Sequence, residues 1–267
     1  MMRQPAVAGQ FYPGNPNTLR QTIEDFLPEA PHETSSALAV ISPHAGYIYS
    51  GSVAAQTFSQ VDLPPTAIIL GPNHSGMGQK AAVMDSGEWL MPFGTVPIDS
   101  NIAELLLAKA TLLVADATAH TFEHSLEVQV PFMQYYRKLS IVPICLSQLS
   151  FAECLEIGKA IADVVSIVPS KPLLVASTDM SHYESRESAT RKDSLAIDCI
   201  KKLDPEGLYN TVVANRITMC GFIPTTITLI AAKELGATSA KLIRYTDSGE
   251  VSGDTSQVVG YAGFIIS

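Results

Sequence analysis

The chain has 267 residues, of which 46% are hydrophobic and 16% charged, with 17 Lys and Arg against 26 Asp and Glu and a formal net charge of −9. That acidic balance excludes the basic stripe a nucleic-acid-binding protein needs, so no nucleic-acid partner is expected. No stretch of about 18 uninterrupted apolar residues occurs to span a membrane, and the Met-Met-Arg-Gln-Pro start lacks the apolar core of a secretion signal. The four cysteines form neither a CxxC pair nor a dense framework, which fits a reduced, cytoplasmic setting.

In chain order, short apolar runs alternate with helical patterns. Strand-length runs occur at Ala37–Ser42, Thr66–Leu70, Ser140–Leu146, Leu173–Ser177 and Val258–Ile266. Their unbroken apolarity suits strands covered on both faces. Helical patterns follow a cap at Asp99 or Ser100 and cover Glu127–Tyr136, Phe151–Val165, Ser188–Lys202, Pro205–Asn215 and roughly Ile223–Leu235. Thr246-Asp-Ser-Gly249 reads as a hairpin turn and adds some antiparallel edge. With no repeat and no linker, the order predicts one α/β domain over 1–267. It is a three-layer sandwich, a mostly parallel or mixed sheet covered by helices.

The chemistry is concentrated where apolar runs end. Ala-Val-Ile-Ser-Pro-His44, Ile-Ile-Leu-Gly-Pro-Asn-His74 and Leu-Val-Ala-Ser-Thr-Asp179-Met-Ser-His182 each close a run with a turn and a histidine. In α/β sheets the carboxyl ends of parallel strands carry the ligands, so the three imidazoles are expected in one cleft. Neutral imidazole is the commonest side-chain metal ligand, and two His with an anionic ligand leave positions open for substrate. A further His beside the metal moves protons near neutral pH. Asp179 either orients the His182 imidazole, accepts its proton, or is simply solvated.

His120-Thr-Phe-Glu-His124-Ser-Leu-Glu127 forms a second cluster. It is not HExxH, and it reads as cleft lining or as a helix start with Glu127 favouring the dipole. His124, Glu127 and Tyr49 are taken as the substrate-binding side. Cys220, at an element boundary in Thr-Met-Cys-Gly-Phe, reads either as a small buried hydrophobe or as a metal-binding thiolate with lowered pKa near a helix start. No G-x-S-x-G elbow is present to support a serine hydrolase.

Pro5-Ala-Val-Ala-Gly-Gln-Phe-Tyr-Pro13, Pro43-His-Ala-Gly-Tyr-Ile-Tyr-Ser-Gly51, Leu70-Gly-Pro-Asn-His-Ser75, Glu123-His-Ser-Leu-Glu-Val-Gln-Val-Pro131, Ser177-Thr-Asp-Met-Ser-His182, Cys220-Gly and Gly260-Tyr-Ala-Gly263 run in order along the chain. Together they resemble the Memo-like proteins. The resemblance implies the fold of class III extradiol ring-cleaving dioxygenases, the LigB-like superfamily, which hold non-haem Fe(II) by two His and one Glu and use another His as acid/base. Carried over by motif, His44 and His74 match the metal histidines and His182 the acid/base. Cys220 stands where the dioxygenases supply a carboxylate. That departure weighs against ring cleavage, because a thiolate redistributes the metal's charge, is itself oxidisable and suits Cu(I) or Zn(II). The resemblance further implies iron as first choice, with copper or zinc as alternatives. It also implies a small-molecule or peptide ligand in the cleft, phosphotyrosine peptides among animal members, and AMMECR-like and radical SAM partners in prokaryotes. Two functions follow as expectations: a metal-dependent redox protein, or a binding module for an anionic ligand on a retired dioxygenase cleft.

Overall fold

The computed structural model describes residues 1–28 and 33–267. In order, the elements are β1 (Met2–Arg3), α1 (Pro16–Phe26), β2 (Ala39–Ser42), α2 (Tyr47–Phe58), β3 (Thr66–Pro72), β4 (Ala81–Val83), β5 (Glu88–Met91), β6 (Gly94–Pro97), α3 (Ser100–Lys109) and β7 (Val114–Ala115). There follow α4 (Val130–Tyr136), β8 (Ser140–Leu146), α5 (Phe151–Ile167), β9 (Leu173–Ser177), β10 (His182–Glu184), α6 (Arg186–Lys201), α7 (Pro205–Ala214), α8 (Phe222–Glu234), β11 (Ala240–Asp247), α9 (Gly249–Ser252) and β12 (Val258–Ile266). Two short 3-10 turns, Thr118–His120 and Glu127–Gln129, frame the loop between β7 and α4.

The main sheet has the strand order β10-β12-β2-β9-β3-β8-β4-β7, with β11 also paired to β12. Strands β2, β9, β3 and β8 run parallel side by side, in registers such as Val40 with Val175 and Ile69 with Val175. Strand β12 joins β2 antiparallel and β11 completes the hairpin that the Thr246–Gly249 turn signal predicts. Along the central strands alternate residues enter opposite cores. Ile68, Leu70, Leu174 and Ala176 face one side, while Ala67, Ile69, Leu173 and Val175 face the other. This period of two explains why these strands are apolar throughout: both faces are covered.

Helices α3, α5, α6, α7 and α8 cover the first face, and α1, α2 and α4 the second. Helix α8 is apolar nearly all round because it lies inside its layer, packed on α5, α7 and the sheet. A small second sheet, in the order β1-β5-β6, clamps the N-terminal strand to β5. The three-layer α/β sandwich read from the sequence is therefore the architecture. Helices α1 and α2, strands β4, β7 and β10 and the β1-β5-β6 sheet have no counterpart in that reading. The α2 sequence Tyr-Ile-Tyr-Ser-Gly-Ser-Val carries β-formers and a glycine, which mask a helix that packing stabilises. No helix among the described residues is long and apolar enough to cross a membrane.

Candidate metal centre

Adjacent parallel strands deliver the site. Beyond the carboxyl end of β2 comes His44, beyond β9 come Asp179 and His182, and beyond β3 comes His74. The fourth imidazole, His124, arrives on the loop between the two 3-10 turns. That loop reaches the sheet because position 71 is glycine: a Cβ there would stand 2.7 Å from Ser125 Oγ and 2.8 Å from Leu126 Cγ. Ligand atoms of His44, His74 and His124 all lie within 4.8 Å of one another, the spacing that can hold one metal ion. The ring centroids are 5.2 Å apart for His44–His74, 5.6 Å for His44–His124 and 4.6 Å for His74–His124. His44 forms the floor at 2% exposure, whereas the His74 and His124 side chains are 35% and 22% exposed, so the cluster opens to solvent on one side.

Hydrogen bonding sets which nitrogen is free in the His44 and His74 rings. The Ser177 hydroxyl donates its single proton to the Ser125 carbonyl at 2.6 Å and accepts from Gln129 Nε2 at 2.8 Å. His44 Nδ1, 2.9 Å away, must then be the donor to Ser177 Oγ, which leaves Nε2 with its lone pair. Gln129 Nε2 is fixed in turn by the Pro43 carbonyl at 2.9 Å. His74 Nδ1 donates to Glu123 Oε1 at 2.9 Å, and Glu123 also accepts the His74 N–H at 2.5 Å and the Ser125 N–H at 2.9 Å. Burial alone would raise the Glu123 carboxyl, but these bonds and the neighbouring imidazoles hold it down to about 2. A carboxylate or hydroxyl behind a ligand histidine is the usual means of fixing tautomer and ring direction. Burial, then the neighbouring imidazoles, keep His44 well below its ordinary value, and burial likewise lowers His124. Neutral imidazoles are the metal-binding form.

Cys220 lies against one member of this group. Its Sγ is 3.2 Å from His44 Nε2 and accepts the Asp179 N–H at 3.3 Å. The thiol is pushed well above its usual range by burial and by the Asp179 carboxylate, contrary to the lowering expected near a helix start. Helix α8 begins two residues later, and its dipole does not offset the loss of solvent. His44, His74 and His124 make the compact three-imidazole group, and Cys220 Sγ lies beside it against His44.

Asp179 does not orient His182. Its Oδ1 accepts the His44 N–H at 2.7 Å and thereby shapes the Pro43–Gly46 turn, while burial raises its carboxyl to about 6. His182 is held by Thr218: its Nδ1 donates to the Thr218 carbonyl at 2.9 Å and its N–H donates to Thr218 Oγ1 at 2.7 Å. With Nδ1 donating, Nε2 of the His182 ring is left with the lone pair. Glu127 turns toward the N-terminal segment instead of the imidazole cluster. It is wholly buried, ion-paired to Arg3 at 2.6 Å and bonded by the Tyr12 hydroxyl at 2.6 Å. A charged side chain in a non-polar interior needs such partners, and none of its capacity faces the cleft. Tyr49 sits in the first turn of α2, two residues after the buried Tyr47, and is 39% exposed near Tyr261. Ser177, Gln129, Glu123 and Thr218, which hold these side chains by hydrogen bonds, were not singled out from the sequence. Hydroxyls, amides and acids at strand ends have too many ordinary uses to stand out.

The whole length supports one relationship. The family model described as Memo-like protein matches residues 3–265. A MEMO1 family protein of Methanopyrus kandleri is 42% identical, covering 99% of both chains, and one of Aquifex aeolicus is 39% identical over 99% of this chain and 98% of that one. A crystal structure of an uncharacterised protein from Escherichia coli K12 superposes with a TM-score of 0.56 at 15% identity, covering 84% of this chain and 98% of the other, which speaks to the fold alone. With relatives this similar from end to end and a family model spanning nearly every residue, the chain belongs to the Memo-like family.

Proposed function

We propose that the chain is a metal-dependent protein whose metal is held by His44, His74 and His124, with Cys220 beside His44: iron in the first instance, or copper, for redox chemistry, with zinc as the alternative that would serve as a Lewis acid alone. The observation that carries this reading is the convergence of the imidazole ligand atoms within 4.8 Å. It is reinforced at His44 and His74 by Nδ1–H donation that leaves Nε2 free. The donor set fits: three neutral imidazoles suit Fe, Cu and Zn, and a thiol at the edge suits a soft ion such as Cu(I). A metal bound there would act as a Lewis acid or electron-transfer partner for a substrate entering from the open side.

The protein's own residues would do the rest. Ser177 and Glu123 hold the ligand rings in place. His182, held through its Nδ1–H by Thr218, offers Nε2 to take or return a proton at the substrate. Asp179, raised to about 6 by burial, keeps the turn carrying His44 in position and sets the charge around it. The test is metal retention after anaerobic loading with Fe(II), Cu(I) or Zn(II) and desalting. About one equivalent per chain is expected in the wild type, with loss in His44→Ala, His74→Ala and His124→Ala. Cys220→Ala is expected to retain Fe(II) and Zn(II) and to lose Cu(I) selectively. Failure to retain any of the three metals would overturn the reading.

A further inference from the structure

The loop that supplies His124 has no regular structure between Thr121 and Leu126, yet one side chain from the far end of the chain grips it at two points. Arg3 Nε donates to the His120 carbonyl at 2.6 Å and Nη2 donates to the Glu123 carbonyl at 2.8 Å. Its third arm, Nη1, donates to Glu127 Oε2 at 2.6 Å. The guanidinium is also laid over the Trp89 ring, 4.2 Å from its centroid. Arg3 is 5% exposed and Glu127 fully buried.

Glu127 ties the other half of the arrangement. Its Oε2 accepts the Ala6 N–H at 2.7 Å and its Oε1 accepts the Val7 N–H at 3.1 Å and the Tyr12 hydroxyl at 2.6 Å. The same N-terminal turn places the Phe11 ring 4.9 Å from the His124 ring. Segments 3–12 and 120–127 are therefore locked together, and His124 stands at the join.

We propose that Arg3 is a positioning residue for the metal centre. By fixing the backbone at His120 and Glu123, it sets where the Glu123 carboxylate meets His74 Nδ1 and where the next residue, His124, places its imidazole. The inference rests on the metal-binding reading above. The planar fork is what the geometry uses: two carbonyls and a carboxylate are met by one rigid group. A lysine supplies the charge from one point and cannot span all three acceptors. A purely structural ion pair makes a different prediction, since its loss changes stability without changing the ligand field of a bound metal.

Co(II), a spectroscopic stand-in for the native ion, separates the two. Titrations of wild type, Arg3→Lys and Tyr12→Phe are compared with Val212→Ala, a core truncation in α7 that serves as a stability control, and melting of each metal-free protein is recorded. Arg3→Lys is expected to bind Co(II) weaker by roughly 10-fold or more, with an altered visible spectrum. Val212→Ala is expected to melt earlier yet keep wild-type affinity and spectrum. Should Arg3→Lys fail to fold, Tyr12→Phe, which removes a single bond from Glu127, is expected to show the same spectral change with a smaller affinity loss. Wild-type affinity and spectrum in the folded Arg3→Lys protein, or in Tyr12→Phe if Arg3→Lys does not fold, would overturn Arg3's role while leaving the metal site intact. A wild type that binds no Co(II) would instead overturn the metal reading and this inference with it.

Discussion

At the scale of single residues, the site is a set of protons placed by donors and acceptors that have no freedom to change roles. Ser177 has one hydroxyl proton and gives it to a carbonyl, so His44 must donate to it. Ser177→Ala removes the acceptor for His44 Nδ1–H and leaves the Ser125 carbonyl and the Gln129 amide short of a partner. Stability is expected to fall by about 1–3 kcal/mol, read as a shifted denaturation midpoint. Metal affinity is expected to fall by roughly 10- to 100-fold, read by titration. An affinity unchanged within a factor of two would show that the His44 tautomer is set by something else. His44 and His74 were legible because each follows an apolar run and a turn, whereas His124 was read as cleft lining from the His120–Glu127 cluster. The roles around them were less so. Glu127, three residues after His124, turned inward to Arg3, and Cys220 was shifted up rather than down, because burial depends on neighbours distant in sequence.

At the scale of elements, the strands were readable from their continuous apolarity, and their parallel order carries three of the four imidazoles to one edge. The loop bearing the fourth was legible as cleft lining from its His120–Glu127 cluster, but its close approach to the other imidazoles was not, since that depends on a missing side chain in β3. Gly71→Ala would put a methyl group 2.7 Å from Ser125 Oγ and 2.8 Å from Leu126 Cγ. The backbone of β3 is fixed on both sides by β8 and β9, so the loop must move. A loss of about 1–3 kcal/mol is expected from such overpacking, accompanied by weaker metal binding because Glu123 and His124 ride on the displaced segment. Denaturant unfolding and a metal titration on the same variant check both. Loss of stability with full metal affinity would mean that the loop yields without carrying His124 with it. Helix α2 escaped the sequence reading for a related reason: its helicity comes from packing on β11, β12 and α1 rather than from its own residues.

At the scale of the whole molecule, a buried histidine outside the three-imidazole cluster links folding to pH. His120 is 1% exposed, donates through Nε2 to the Ala82 carbonyl, and is held neutral down to about 4 by burial and then by the Arg3 cation. In the unfolded chain it would protonate near pH 6.5. Between these values the unfolded state binds the extra proton, so stability falls as pH drops from about 6.5 through about 4. The loss from this one group is ~3 kcal/mol as an order of magnitude. His120→Gln, which keeps an N–H for Ala82, is expected to remove that share of the slope in metal-free protein. Identical pH profiles for variant and wild type would contradict it. The fold class was legible at this scale, from element order and patterning. The pairing of the N-terminal segment with residues 120–127 was not, because hydrogen bonds spanning more than a hundred residues leave no local pattern.

The central claim is that imidazoles from separate strand ends and one loop make a single metal-binding centre. Anomalous diffraction at the iron edge, from crystals grown after anaerobic Fe(II) loading, tests it most directly. The expected result is one strong peak bounded by His44, His74 and His124. A map with no peak there, or with its only peak on unrelated surface carboxylates, would contradict the account.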